Sequence, residues 1–132
     1  NIKEMFPEKK ISFAYNIKNN SEILKILDQN DIIYLFPHQI EDLPKKYFDI
    51  SIAIDCLHEM EEKTVERYIS NFERVSDSLF FKVWEYAGLP NSFYKYYSVH
   101  KKKDYFIKDQ WQEIIKEKCI FPSNYYQLGY KF

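Results

Sequence analysis

Two compact apolar runs dominate the first half of the chain: residues 31–36, which read DIIYLF and stop at Pro37, and residues 48–55, which read FDISIAID. Short unbroken runs of this kind suit strands covered on both faces, as in a parallel sheet. From Glu61 the period changes. Val65, Tyr68, Ile69, Phe72 and Val75 recur at helical spacing behind Glu61 and Glu62, whose carboxylates favour a helix N-terminus. Residues 78–84 return to strand character. Asp109 then offers an N-cap, with Gln112 at the capping-box position, to a helix that would bury Trp111, Ile114, Ile115 and Cys119. Residues 125–132 form a last strand. Earlier in the chain, residues 10–15 alternate like a short strand, and Asn20 or Ser21 can cap a helix carrying Ile23, Leu24 and Leu27.

Strands separated by helical patterns of 10 to 15 residues indicate βαβ units with right-handed crossovers. The expected architecture is therefore α/β, a three-layer and mainly parallel sheet flanked by helices. At 132 residues, one domain spanning 1–132 can bury a working core.

Composition narrows the function classes. No apolar stretch approaches the roughly 20 residues that cross a bilayer, so no membrane span is expected. A net charge of −1 gives no global attraction to nucleic acid. Cys56 and Cys119 lack metal-site or redox spacing and fit small core residues of a reducing, cytoplasmic compartment. The two glycines, Gly88 and Gly129, make no phosphate-cradling loop, which removes a P-loop nucleotidase. His58 has no second His four residues on, where Glu62 stands, so no metal site is expected.

In open α/β sheets ligands collect beyond the carboxyl ends of the strands. The residues there are Pro37, His38 and Gln39, then Asp55 through Glu59, then Trp84 and Glu85. Taken singly, Asp55 reads as a turn cap and His58 as a hydrogen-bonded surface His; together they read as a ligand-binding rim. Residues 93–105 mix aromatics with Lys101, Lys102 and Lys103, the ingredients of a non-catalytic binding or scaffold surface for a sugar or a single strand. A solvated loop with packed tyrosines is the plainer alternative.

The residues LFPHQIEDLPKKYFDISIAIDCLHEM, followed by the amphipathic segment and then SLFFKVWE, resemble bacterial sugar O-methyltransferases of the class I, S-adenosylmethionine-dependent type. The resemblance runs from about Phe6 onward, through Leu-Phe-Pro-His-Gln, Leu-Pro, Phe-Asp, His-Glu-Met and Lys-x-Trp in that order. It implies a Rossmann-like methyltransferase sheet incomplete at the N-terminus, because the family's Gly-rich loop and ribose-binding acid have no counterpart here. It implies S-adenosylmethionine as cofactor, with His38 and Gln39 near the adenine edge and Ile54 and Asp55 beside the methionine part. The acceptor would be a saccharide hydroxyl. His58 would take its proton, since an ordinary His titrates near pH 6.5, and Glu59 would orient the ring. Trp84, Tyr94 and Tyr97 would offer flat faces to the sugar. Open sheet edges left by absent strands would favour a homodimer.

Overall fold

The computed structural model describes residues 2–15, 20–88 and 96–132. The chain forms two compact units, Asn1–Lys45 and Lys46–Phe132.

The first unit carries a single-turn helix α1 (Ile2–Met5), β1 (Ile11–Phe13), α2 (Asn20–Gln29) and β2 (Ile32–Tyr34). β1 and β2 pair in parallel, with Phe13 opposite Tyr34. Ile23 of α2 is buried, as its place on the apolar stripe of an amphipathic helix requires. Beyond β2, Pro37 opens a 3-10 segment, Pro37–Asp42; its ring fixes φ and removes a ladder donor, so the strand cannot continue.

The second unit is built on β3 (Phe48–Ile54), α3 (Glu62–Val75), β4 (Ser76–Trp84), β7 (Gln112–Lys118) and β8 (Tyr125–Lys131), with a small antiparallel arm of β5 (Tyr86–Gly88) and β6 (Tyr96–Ser98). The sheet order is β3-β4-β8-β7. β3 and β4 are parallel, while β8 is antiparallel to both β4 and β7. The helix α3 crosses between β3 and β4 as the 3.6-residue period predicts, burying Val65, Ile69 and Val75. Those side chains join Ala53, Leu79, Phe81, Val83, Leu128, Tyr130, Tyr97 and Tyr105 in one core.

Two expectations are corrected here. The three-layer, mainly parallel Rossmann-like methyltransferase sheet is not formed. The described strands make a four-stranded mixed sheet and two small two-stranded ones, and two of the three ladders in the larger sheet are antiparallel. The helix expected over 109–119 is the strand β7. Its β-branched Ile114 and Ile115 suit a pleated surface, and the antiparallel ladder to β8 satisfies the backbone that a helix would have satisfied internally. A bulge between Glu113 and Ile115 turns Ile114 to solvent and lays Ile115 over Gly129. A third difference concerns coverage. α3 packs on one face of the sheet, and on β3 the opposite face shows Ile50, Ile52 and Ile54 at 47%, 61% and 50% exposure.

Candidate functional site

The carboxyl ends of the parallel pair β3 and β4 lie side by side, and the chain leaves each end in a way that gathers polar and aromatic groups. Asp55 extends the ladder, its N–H donating to the Lys82 carbonyl at 2.8 Å, and then turns sharply at φ 55°. That left-handed conformation is costly for most residues and best tolerated, glycine aside, by Asp and Asn. The turn feeds the 3-10 segment Leu57–Glu59, which buries Leu57 and His58.

The His58 imidazole is 2% exposed and stacks on Trp84, ring centroids 5.0 Å apart, with Tyr125 edge-on at 6.1 Å. Neither ring nitrogen has a hydrogen-bond partner among the described residues. Its Nε2 stands 3.5 Å from Asp55 Oδ1. Burial lowers the imidazole pKa below its ordinary 6.5, against the raising effect of the Asp55 and Glu59 charges; a buried ring resists taking a charge. His58 is therefore neutral at pH 7. The Tyr125 hydroxyl donates to Asp55 Oδ1, and that bond, with burial behind it, raises the phenol. Asp55 itself is open, 53% exposed. Burial also raises the Cys56 thiol, which makes it a poor nucleophile.

Of the residues singled out from sequence, the structure gathers Asp55, His58 and Trp84. Ile54 is the exposed last residue of β3. Glu59 is exposed and makes no hydrogen bond to the His58 ring, whose neighbouring carboxylate is that of Asp55. Tyr97 lies in the core at 0% exposure, donating to the Met60 carbonyl at 2.9 Å, and burial pushes its phenol up to about 12. Tyr94 lies outside the described residues. Tyr125 was not singled out from sequence. The signal for it is register: as the first residue of β8 it sits opposite Trp84, and strand pairing is invisible until the sheet order is known.

The first unit holds a second feature, also at strand carboxyl ends. Phe13, Tyr15, Tyr34, Leu35 and Phe36 line an open cavity of about 120 Å³. Phe13 stacks on Tyr34 at 4.6 Å and on Tyr15 at 5.5 Å, and Phe36 meets Tyr15 at 60°. The exposed His38 extends the row, parallel to Phe36 at 5.8 Å. Gln39 is buried beneath: its Oε1 accepts from the Phe36 N–H at 2.7 Å and its Nε2 donates to the Ala14 carbonyl at 2.8 Å. Both ends of its amide are occupied in tying the two strand exits together, so Gln39 holds the pocket's walls and is not itself presented to a ligand. A cavity this small, below the roughly 300–1,000 Å³ of sites that bury a whole drug-sized ligand, accommodates one flat ring.

A further polar cluster joins three elements of the second unit. Glu85 accepts from His100 at 3.1 Å and from Lys118 at 3.1 Å, and these bonds, His100 first, lower its pKa. Among the described residues, no group of three or more His, Cys, Asp and Glu is placed to hold a metal ion, and no helix is long and apolar enough to cross a membrane.

The sequence matches no known family model and none of the curated proteins. Among solved structures, the crystal structure of the PH0226 protein from Pyrococcus horikoshii OT3 is similar over 98% of this chain and 85% of that one, with a TM-score of 0.50 and 11% sequence identity. At that identity the likeness concerns the fold alone.

Proposed function

We propose that this chain is part of a cytoplasmic S-adenosylmethionine-dependent O-methyltransferase acting on a sugar or other saccharide hydroxyl. The observation that carries the reading is the cluster of Asp55, His58, Trp84 and Tyr125 where β3 and β4 end side by side. It joins an open carboxylate to a flat aromatic wall, and Trp84, 39% exposed, offers that wall to a sugar ring.

Taken by itself, the aromatic pocket of the first unit suits a flat ring such as an adenine. Stacking on exposed aromatics contributes about 1–3 kcal/mol per base and needs no particular hydrogen-bond pattern, and Tyr15, Tyr34, Phe36 and His38 supply such faces. When bound, the cofactor supplies an electrophilic methyl group. In the second unit, Trp84 would orient the acceptor and the Asp55 cluster would receive the hydroxyl proton. A sugar hydroxyl is a weak acid, so a base in contact with it accelerates the displacement, typically by 10²–10⁴-fold.

The alternative, a binding module using residues 93–105, is weakened by what the described part of that segment does. Tyr97 and Tyr105 are core residues and are not available for stacking.

The test is binding. Titration of the isotope-labelled chain with S-adenosylhomocysteine, followed by NMR, is expected to give weak binding that shifts signals of Tyr15, Tyr34 and Phe36. Replacement Tyr34→Ala is expected to remove those shifts. No shift at millimolar ligand, or shifts that survive Tyr34→Ala unchanged, would overturn the reading.

A further inference from the structure

The resemblance assigns the proton-accepting role to His58, but the ring is almost wholly enclosed, with both nitrogens out of reach of a ligand. The group that meets the surface is Asp55. Two groups converge on one of its oxygens: the Tyr125 hydroxyl bonds Oδ1, and His58 Nε2 approaches the same atom at 3.5 Å. Among the described residues Oδ2 has no partner.

We infer that Asp55 is the ligand-facing acceptor of this site, that His58 and Tyr125 are positioning residues behind it, and that Oδ2 takes a hydroxyl or ammonium donor of the ligand.

The physical argument starts from His58. A neutral imidazole carries one N–H, and leaving that donor buried and unpaired costs about 1–3 kcal/mol. The carboxylate within 4 Å is that of Asp55, on the Nε2 side, so the proton resides on Nε2 and a small closure makes the bond. Stacking on Trp84 fixes the plane of the ring and hence the direction of that N–H. Tyr125 enters from the opposite strand, placed by its pairing with Trp84. With Oδ1 bonded by the Tyr125 hydroxyl and faced by His58 Nε2, and the backbone already turned at φ 55°, the carboxylate is restrained and its second oxygen is left for a ligand. A second-layer group that fixes the orientation of the first is a recurring way to prepare a site before the ligand arrives.

This assignment rests on the reading of the rim as a ligand site. In the methyl transfer proposed above, the acceptor O–H bond breaks and its proton passes to Oδ2. The cofactor, when bound, would supply the methyl group to the acceptor oxygen and keep the electron pair of the broken sulfur–methyl bond, so atoms and charge balance.

Two measurements on the whole chain test the inference without any turnover assay. Long-range ¹H–¹⁵N spectra are expected to show His58 as the neutral Nε2–H tautomer. Asp55→Gly, which suits the positive φ and so spares the fold, is expected to shift it to a mixture of tautomers; Tyr125→Phe is expected to shift it in the same direction and less. An Nδ1–H tautomer in the parent chain, or a tautomer unmoved by both variants, overturns the assignment. Diethyl pyrocarbonate is expected to modify His38 and His100 while sparing His58, and modification of His58 at a comparable rate also overturns it. Failure of S-adenosylhomocysteine to bind would remove the reaction and leave the tautomer result standing, so the two ideas fail separately.

Discussion

At the scale of single residues, His58 shows how burial changes a role that residue type suggests. Sequence places a titratable ring at a strand end, where it reads as an exposed base; the structure puts the same ring under Trp84 and Tyr125. Desolvation, the first cause of its lowered pKa, has a consequence for stability. Because the folded value lies below the unfolded one of 6.5, the unfolded chain binds the proton more readily. The contribution is complete above pH 6.5 and is lost as pH falls through that value toward the folded one. Thermal unfolding midpoints measured from pH 5 to 8 are therefore expected to decline below about pH 6.5, and His58→Phe, which keeps a flat ring against Trp84, is expected to flatten that limb. A decline of equal size in the variant would show that other groups produce it.

At the scale of elements, what was legible in the sequence was periodicity, and what was not was pairing. α3 follows from five apolar residues at helical spacing, and every buried apolar residue of that helix lies on the expected stripe. The apolar runs at 31–36 and 48–55 do contain strands, Ile32–Tyr34 and Phe48–Ile54, but β3 is not covered on both faces as such a run predicts. The segment 109–119 failed because its signals were ambiguous. Adjacent Ile114 and Ile115 fit a helix stripe or a bulged strand equally well, and Asp109 with Gln112 imitates a capping box. The deciding factor lies 14 positions on, where Gly129 leaves room for Ile115. A Cβ at 129 would come within 2.7 Å of Ile115 Cγ2, closer than packed atoms approach. Gly129→Ala is accordingly expected to lower stability by about 1–3 kcal/mol in urea unfolding. Adding Ile115→Ala should recover part of that loss, a coupling between contacting residues; strictly additive effects would mean that the contact is relaxed in solution. The candidate site was partly legible on the same terms. Asp55, His58 and Trp84 each end or follow an apolar run, whereas Tyr125 reaches them across a ladder that no local pattern reveals.

At the scale of the whole molecule, the second unit is a sheet covered on one face. Ile50, Ile52 and Ile54 stand on the other face of β3, and β3 is an edge of its sheet. Open edges and contiguous apolar residues both promote association. Sedimentation velocity is expected to show concentration-dependent self-association that Ile52→Lys weakens. A chain that stays monomeric at every concentration would assign those residues no role in pairing between copies. The replacement removes no core contact and is expected to change folding stability by no more than about 0.5 kcal/mol, as for other surface positions.

The position of β8 carries one more consequence, for the order in which the molecule is made. It lies between β4 and β7 yet follows both in the chain. A ribosome therefore releases two strands whose shared partner does not yet exist, and for that interval one long flank of β4 has no ladder. Tyr125 arrives with the strand that fills the gap. The bond that steadies Asp55 and the closing of the sheet are thus a single event, and a chain stalled before β8 emerges would have neither.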